Sequence, residues 1–283
     1  MKTAFLMAIM TVLCMMVGKA VGGNGGMLYA LIFGCGMNIY YYWYSDSMVL
    51  SHYKAKPVDR NNAPRLYALV ERLAKKAELP MPKVYIIPTD VPNAFATGRN
   101  PEHAAVAVNR GLMEMLSEDE LAGVLAHELS HVKHRDILIS TVAACMASVI
   151  SYLGHIAQWA MILGGGSRRD DDREGGALGG IFAIIIAPIA AMLIQAGISR
   201  SREYEADKSG GEICGNPNAL ADALLKIEAY AHRRVMPNAT EATAHMFIIN
   251  PLSGVDFSTL FSTHPKTADR VARLREQAAL MRR

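Results

Sequence analysis

Hydrophobic residues in this chain are concentrated in four long blocks, with polar segments between and after them. A helix needs about 20 predominantly apolar residues to cross the ~30 Å hydrocarbon core of a bilayer. The pattern therefore predicts four transmembrane helices in two hairpins, within residues 1–50 and 137–199, the second with a short loop at 164–176. The four blocks, none of which contains a charged residue, are residues 3–18, 27–44, 137–163 and 177–199.

Two other interpretations of these blocks stay open. The first block also fits a cleaved signal peptide, since Lys2 precedes it and small residues stand near Ala20. A second apolar block follows at once, which favours an uncleaved hairpin. The third and fourth blocks contain His155, Gln158 and Pro188, so they could instead be buried helices of a soluble enzyme.

The polar segments, residues 51–136 and 200–283, are expected to form one catalytic domain. Residues 63–78 have apolar side chains at helical spacing, which predicts an amphipathic helix. Two short runs rich in valine and isoleucine predict a small β-sheet, with the turn-rich residues 93–103 between them and an edge strand facing a cleft. The predicted strands are residues 83–88 and 104–109, and the predicted downstream helices are residues 199–214, 217–232 and 265–282.

A further helix is predicted from Glu118 through Arg135. Ser117 and Glu120 have the spacing of a capping box, in which each satisfies a backbone N–H of the other at a helix start. The fold class is therefore mainly α with a small β-sheet.

The predicted helix contains His127-Glu128-Leu129-Ser130-His131, an H-E-x-x-H sequence. Residues four apart share a helix face, so both imidazoles can reach one metal ion, with Glu128 to its side. A catalytic zinc needs a third protein ligand and one open position for water, while a carboxylate acts as general base. The less specific interpretation is a surface helix with solvated histidines.

The third ligand is expected from the helix that follows the fourth apolar block. Glu203 and Asp207 are four residues apart and share a face, whereas Glu205 lies roughly opposite. One of the pair could bind zinc while the other accepts a hydrogen bond from a liganding imidazole. Periodicity does not decide between Glu203 and Asp207.

Charge and cysteine usage exclude other classes of function. The formal net charge of +3 comes from segments of mixed sign, and no basic patch is interleaved with aromatic residues. We therefore expect no nucleic-acid partner. The four cysteines are far apart and form neither a disulfide framework nor a CxxC metal motif.

Basic residues beside the apolar blocks predict the orientation in the membrane. The loop at 164–176 contains three arginines and four acidic residues, so its contribution is weaker. Both termini and the polar segments should therefore face the cytoplasm. The basic residues that support this orientation are Lys54, Lys56, Arg60, Lys133, Arg135, Arg200 and Arg202.

The sequence resembles the HtpX-type membrane metalloproteases, relatives of the CAAX prenyl endopeptidases. The resemblance rests on the order of the four apolar blocks and on HELSH at 127–131, SRSREYEAD at 199–207, NAFATG at 93–98 and FSTHPKTADRVARL at 261–274. It implies a zincin-like (gluzincin) catalytic domain with one Zn²⁺ per chain. It makes His127, His131 and Glu203 the zinc ligands and Glu128 the catalytic base. It makes Asp207 an acidic residue that contacts a zinc ligand without binding the metal itself.

The resemblance also implies a biological setting. The chain is expected to be a multi-pass protein of the inner (cytoplasmic) membrane that cleaves unfolded or damaged proteins, including misfolded membrane proteins, on the cytoplasmic side. Asn93 is a candidate for binding the substrate backbone at an edge strand. His264 is a candidate for stabilising the oxyanion or for acting as a reversible fourth metal ligand. Their alternative roles are a turn asparagine and a loop histidine at a helix cap.

Two other functions compete with this interpretation. In an intramembrane zinc protease the H-E-x-x-H sequence would lie at bilayer depth, but residues 133–136, Lys-His-Arg-Asp, are costly there. In a non-enzymatic membrane adaptor or transporter zinc would be structural. Such a site normally closes with a fourth Cys or His ligand, and no cysteine directly neighbours His127, His131 or Glu203 in the sequence.

Overall fold

The fold is given by a computed structural model that describes residues 2–138, 200–233 and 265–282. This part of the chain is mainly helical, with one small mixed sheet and a short 3₁₀ turn at Pro101–His103. In chain order the elements are α1 (Lys2–His52), β1 (Lys56–Val58), α2 (Pro64–Lys76), β2 (Lys83–Ile87), β3 (Ala94–Gly98), β4 (Ala104–Asn109), α3 (Arg110–Met115), α4 (Glu118–Lys133), α5 (Arg200–Cys214), α6 (Pro217–Arg233) and α7 (Thr267–Met281).

Helix α1 folds back on itself. The side-chain amide of Asn38 donates to the carbonyl of Met7 at 3.0 Å and to Oγ1 of Thr11 at 2.8 Å. In a straight helix, Asn38 and Met7 would lie about 46 Å apart. The reversal is near Gly23, whose φ of +60° is accessible to glycine. The first two apolar blocks therefore lie side by side.

The membrane-spanning prediction is not confirmed by this structure. No helix within residues 2–138, 200–233 and 265–282 combines the length and hydrophobicity needed to cross a bilayer. The third and fourth apolar blocks fall outside the described residues, apart from the first two positions of the third block. The four transmembrane helices therefore stay a prediction.

The sheet has the strand order β1-β2-β4-β3. Strands β2 and β4 are parallel, and the two outer strands pair antiparallel with their neighbours. Every residue of β4 is buried, because α1 covers one face of the sheet and the helices cover the other. Ala105 and Ala107 contact the α1 side, while Val106 and Val108 contact the helical core. This period of two is typical of a strand buried on both faces.

The structure corrects the sequence interpretation at the sheet edges. The first half of the residues predicted as a turn, 93–103, is the edge strand β3, because Ala94–Gly98 pairs along its length with β4. The other edge strand, β1, was not predicted. It is three residues long and contains Pro57, which a sheet edge tolerates. Short strands of this kind are specified by tertiary pairing more than by local pattern.

Helix α4 is at the centre of the helical layer. It contacts α2, α5 and α6 as well as the edge strand β3. The predicted capping box is confirmed at its start: the backbone N–H of Glu120 donates to Ser117 Oγ at 3.3 Å, and that of Ser117 donates to Glu120 Oε2 at 2.8 Å. Lys226 of α6 also forms an ion pair with Glu120. The start of α4 is therefore fixed by local and tertiary contacts.

We predict that Ser117→Ala lowers the free energy of unfolding by about 1 kcal/mol, because the backbone N–H of Glu120 loses its cap. Urea denaturation of the purified protein measures this change. Ser51→Ala, at an exposed position near the end of α1, is the matched control and should leave stability within about 0.5 kcal/mol of the parent. Equal stability of both variants would contradict the role assigned to the capping box.

Candidate metal centre

The H-E-x-x-H residues lie on the buried part of α4. His127 and Glu128 are buried and His131 is partly exposed. The imidazole rings of His127 and His131 are nearly perpendicular, with their centroids 4.8 Å apart. Their spacing of four residues on one helix therefore brings both rings to one face, as the sequence pattern predicts.

Glu203, in the first turn of α5, reaches the same point from the neighbouring helix. Its Oε2 lies 3.7 Å from Nε2 of His127, and its Oε1 lies 3.6 Å from Nε2 of His131. One potential ligand atom from each of the three residues lies within 4.8 Å of the other two. Two imidazole nitrogens and one carboxylate oxygen thus converge at distances that a single metal ion could bridge.

This convergence depends on close packing of α4 and α5. Gly210 of α5 contacts the backbone of His127, and a Cβ atom there would lie only 2.9 Å from the N and Cα atoms of His127. Real Cβ atoms essentially never approach backbone atoms so closely. A larger residue would separate the two helices and move Glu203 away from the imidazoles.

Asp207 occupies a different position from Glu203. Its Oδ1 lies 3.0 Å from Nδ1 of His127, the ring nitrogen that does not face Glu203. This separation is within hydrogen-bond distance, and His127 lowers the pKa of Asp207. The geometry thus distinguishes two carboxylates that periodicity could not: Glu203 faces the cluster of ligand atoms, and Asp207 lies behind His127.

Arg270 of α7 supports Asp207. Its Nε and Nη2 atoms donate to the two carboxylate oxygens, each at 2.7 Å, and its side chain is 1% exposed. Burial by itself raises the pKa of Asp207, but Arg270 and then His127 lower it to about 2. Asp207 is therefore ionised at neutral pH.

Sequence reasoning missed Arg270, although a signal was present. The buried positions of α7 are Thr267, Arg270, Leu274 and Ala278, which form one stripe at helical spacing. An arginine within such a stripe is a buried charge and requires an acidic partner.

Glu128 lies between the histidines and the sheet edge. Its Oε2 accepts a hydrogen bond from the backbone N–H of Ala96 in β3 at 3.0 Å. Burial raises the pKa of Glu128 above the ordinary range of a carboxyl group, against smaller opposing effects of His127 and His131. A buried carboxylate with a raised pKa next to possible metal ligands is suited to accept a proton.

The electrostatic environment favours a cation. Burial by itself lowers the pKa of His131, but nearby carboxylates, Asp136 first and then Glu203 and Glu128, raise it to about 9. Nitrogen and oxygen donors at these positions fit a divalent transition metal, for which imidazole and carboxylate are suitable ligands. The residues present therefore fit a metal site.

Of the two residues predicted to contact substrate, Asn93 and His264, the structure describes only Asn93. Asn93 is buried directly before β3, and its carbonyl accepts a hydrogen bond from the backbone N–H of Asn109 at 2.9 Å. It therefore precedes the strand whose Ala96 contacts Glu128. His264 lies outside the described residues, so its role stays a prediction.

Comparison with known proteins matches this chain to one peptidase family and to several proteases. The model of the family described as Peptidase family M48 matches residues 60–278. A protein named Protease HtpX homolog from Desulfatibacillum aliphaticivorans is 55% identical over 273 residues, covering 96% of this chain and 88% of that protein. Proteins of the same name from Syntrophotalea carbinolica and Thermococcus sibiricus are 52% and 53% identical, each covering 99% of this chain, and 99% and 97% of their own lengths.

A solved structure is similar in fold. The crystal structure of S. mikatae Ste24p matches 93% of this chain with a TM-score of 0.53 and 17% sequence identity. The chain spans 62% of the length of that protein. At this identity, the likeness concerns the fold alone.

We predict that Gly210→Ala weakens metal binding by at least about tenfold, because the added Cβ would push α5 away from His127. The change should also destabilise the protein, although alanine is the better helix former by about 1 kcal/mol. Isothermal titration with zinc measures the affinity.

Gly211→Ala is the control for this prediction. A Cβ there would meet the side-chain ends of Gln277 and Pro217 rather than the backbone of α4. It should leave metal affinity near that of the parent. If the two variants bind metal equally well, the close contact at Gly210 does not set the position of Glu203.

Proposed function

Because this chain belongs to peptidase family M48, we propose that it is a zinc-dependent endopeptidase of the HtpX type. In this proposal His127, His131 and Glu203 hold one zinc ion per chain, and Glu128 is the general base. The observation that carries the proposal is the approach of Glu203 to both imidazoles, at 3.7 and 3.6 Å, beside the buried carboxylate of Glu128.

The donor set supports zinc as the metal. Two histidines and one glutamate are a ligand set of catalytic zinc sites, which leave one coordination position for water or substrate. When bound, zinc supplies Lewis-acid chemistry by polarising the scissile carbonyl and lowering the pKa of water. Asp207 orients His127 from behind so that Nε2 faces the ligand cluster.

Glu128 carries the proton in this mechanism. As general base it accepts a proton from the attacking water, and as general acid it then delivers that proton to the leaving amine of the cleaved peptide. The raised pKa of Glu128 supports both steps, because the carboxylate then binds a proton more readily than an exposed glutamate does. The hydrogen bond from Ala96 holds the carboxylate at the sheet edge.

The position of β3 at the edge of the sheet supports the proposal that the substrate is a peptide. β3 is the last strand of the sheet, and an extended peptide can add to a sheet edge through main-chain hydrogen bonds. Such binding requires an unfolded segment, in keeping with unfolded or damaged proteins, misfolded membrane proteins among them, as the substrates. In this proposal Asn93 contacts the substrate backbone and His264 stabilises the oxyanion.

We place the enzyme in the cytoplasmic membrane as a multi-pass protein in contact with the lipid bilayer, with the catalytic site on the cytoplasmic side. The basic residues beside the apolar blocks support this orientation. Exposed aromatic side chains of α1 support contact with a membrane interface, where tyrosine and tryptophan are enriched. These side chains are Tyr29, Phe33, Tyr40, Tyr42, Trp43 and Tyr44.

The two alternatives have less support. Lys133, His134 and Arg135, which follow the motif after Val132, are exposed, and they would be costly at the bilayer depth of an intramembrane protease. A structural zinc site in an adaptor would need a fourth protein ligand. Among the described cysteines, Cys214 ends α5, about 16 Å along the helix from Glu203. Such a site would also leave the buried Glu128 without a role.

We predict that Glu128→Gln keeps its bound zinc but loses at least about 100-fold in the rate of cleavage, because the amide cannot accept the proton. Cleavage of an unfolded protein by the detergent-purified enzyme, together with zinc content, measures both effects. Glu205→Gln, at an exposed position on α5, is the matched control and should cleave at the parental rate. Normal cleavage by Glu128→Gln would contradict the proposed mechanism.

We predict different effects for the two carboxylates of α5. Glu203→Gln should lose its zinc on dialysis, because a direct ligand is removed. Asp207→Asn should retain zinc with an affinity about 10 to 100 times weaker, because Asp207 acts on the metal only through His127. Zinc stoichiometry after dialysis against a weak chelator measures both. The reverse order would make Asp207 the ligand.

A further inference from the structure

The chain turns directly after α4 and places Asp136 beside His131. The backbone N–H of Asp136 donates to the carbonyl of His131 at 2.9 Å, and that of Arg135 donates to Val132 at 3.1 Å. Arg135 has a φ of +58°. These are the features of a Schellman motif, in which a residue in the left-handed region ends the helix. The motif pairs Asp136 with His131 through the backbone.

The side chains of the same two residues also approach each other. Oδ2 of Asp136 lies 3.6 Å from Nδ1 of His131. On the other side of the ring, Nε2 of His131 lies 3.6 Å from Oε1 of Glu203. The imidazole of His131 therefore lies between two carboxylates, and its Nε2 faces the ligand cluster.

Arg202 fixes the position of Asp136. Its Nη1 donates to Oδ1 of Asp136 at 3.3 Å, and the two side chains are only 17% and 16% exposed. Arg202 directly precedes Glu203 in α5, so the same helix turn provides a candidate ligand and the partner of Asp136. The pair thus connects the end of α4 to the start of α5.

The arrangement repeats the one around the other histidine. His127 has Asp207 at its Nδ1, and Arg270 holds Asp207. His131 has Asp136 at its Nδ1, and Arg202 holds Asp136. Helix α5 contributes one member to each pair, Asp207 to the first and Arg202 to the second. The other member comes from α7 in the first pair and from the turn after α4 in the second. Each candidate imidazole ligand is therefore backed by its own carboxylate and arginine.

We propose that Asp136, held by Arg202, is a positioning residue that orients the His131 imidazole for metal binding. This inference rests on the proposed metal site of His127, His131 and Glu203. A carboxylate behind a liganding histidine fixes the ring orientation, and its loss typically weakens metal affinity 10- to 100-fold. Asp136 then acts through His131 and does not itself touch metal or substrate.

The test is the zinc dissociation constant, measured by competition with a chromogenic chelator on the purified full chain. Asp136→Asn keeps the size of the side chain and the backbone turn but removes the charge, and should weaken binding about 10- to 100-fold. Arg202→Met should weaken it less. The double variant should fall short of the product of the two single effects, because Arg202 acts through Asp136.

A second, exposed aspartate–arginine pair provides matched controls. Asp222 of α6 and Arg275 of α7 form an ion pair in which both side chains are more than 40% exposed. Asp222→Asn and Arg275→Met remove the same chemical groups, and both should keep the parental dissociation constant.

A purely structural role for Asp136 predicts a different outcome. In that case Asp136→Asn would lower the melting temperature of the metal-free protein and leave the zinc dissociation constant unchanged. The visible absorption of the cobalt-loaded protein provides an independent readout, and a changed spectrum in Asp136→Asn supports the positioning role. If Asp136→Asn does not fold, Arg202→Lys is measured instead, and weaker binding is again expected.

The failures of the two proposals are distinguishable. If the parent binds zinc tightly and Asp136→Asn, or Arg202→Lys in its place, binds it within twofold, the positioning role is wrong and the metal site stands. If the parent binds no zinc, both proposals are wrong.

Discussion

The arrangement of charge around two imidazoles is the constraint on which the rest of the site depends. Four carboxylates, Glu128, Asp136, Glu203 and Asp207, lie on or next to the histidine cluster, and burying them without partners would be costly. Arg270 and Arg202 balance Asp207 and Asp136. The two remaining carboxylates, Glu203 and Glu128, have the charge that a divalent cation would balance. Their surroundings therefore favour metal binding even before the fold family is considered.

The fold serves this site by bringing rigid elements into close contact. The start of α4 is fixed by a capping box, and α5 packs against the backbone of His127 through Gly210. The side chains of the two helices therefore keep fixed positions relative to each other. The edge strand β3 approaches from the third side, and its Ala96 N–H contacts Glu128. Sites that are built on helices and strands hold their geometry better than sites on loops.

Local patterns predicted much of this arrangement. The spacing of His127 and His131 and the capping box at Ser117 depend on residues within one helix, and sequence reports such relations directly. Contacts between segments that are distant in the sequence were harder to predict. Periodicity could not separate Glu203 from Asp207, strand β3 was predicted as a turn, and Arg270 was missed, because each outcome depends on tertiary packing. The family resemblance supplied the choice of Glu203 that residue spacing alone had left open.

X-ray absorption spectroscopy at the zinc edge of the purified protein tests the central claim most directly. The proposed site predicts a first shell of nitrogen and oxygen atoms only, at about 2.0–2.2 Å, with the outer-shell scattering of two imidazole rings. A sulfur atom at about 2.3 Å would indicate a cysteine ligand and contradict the proposed site. So would a shell with a single imidazole, because His127 and His131 would then not hold the metal together.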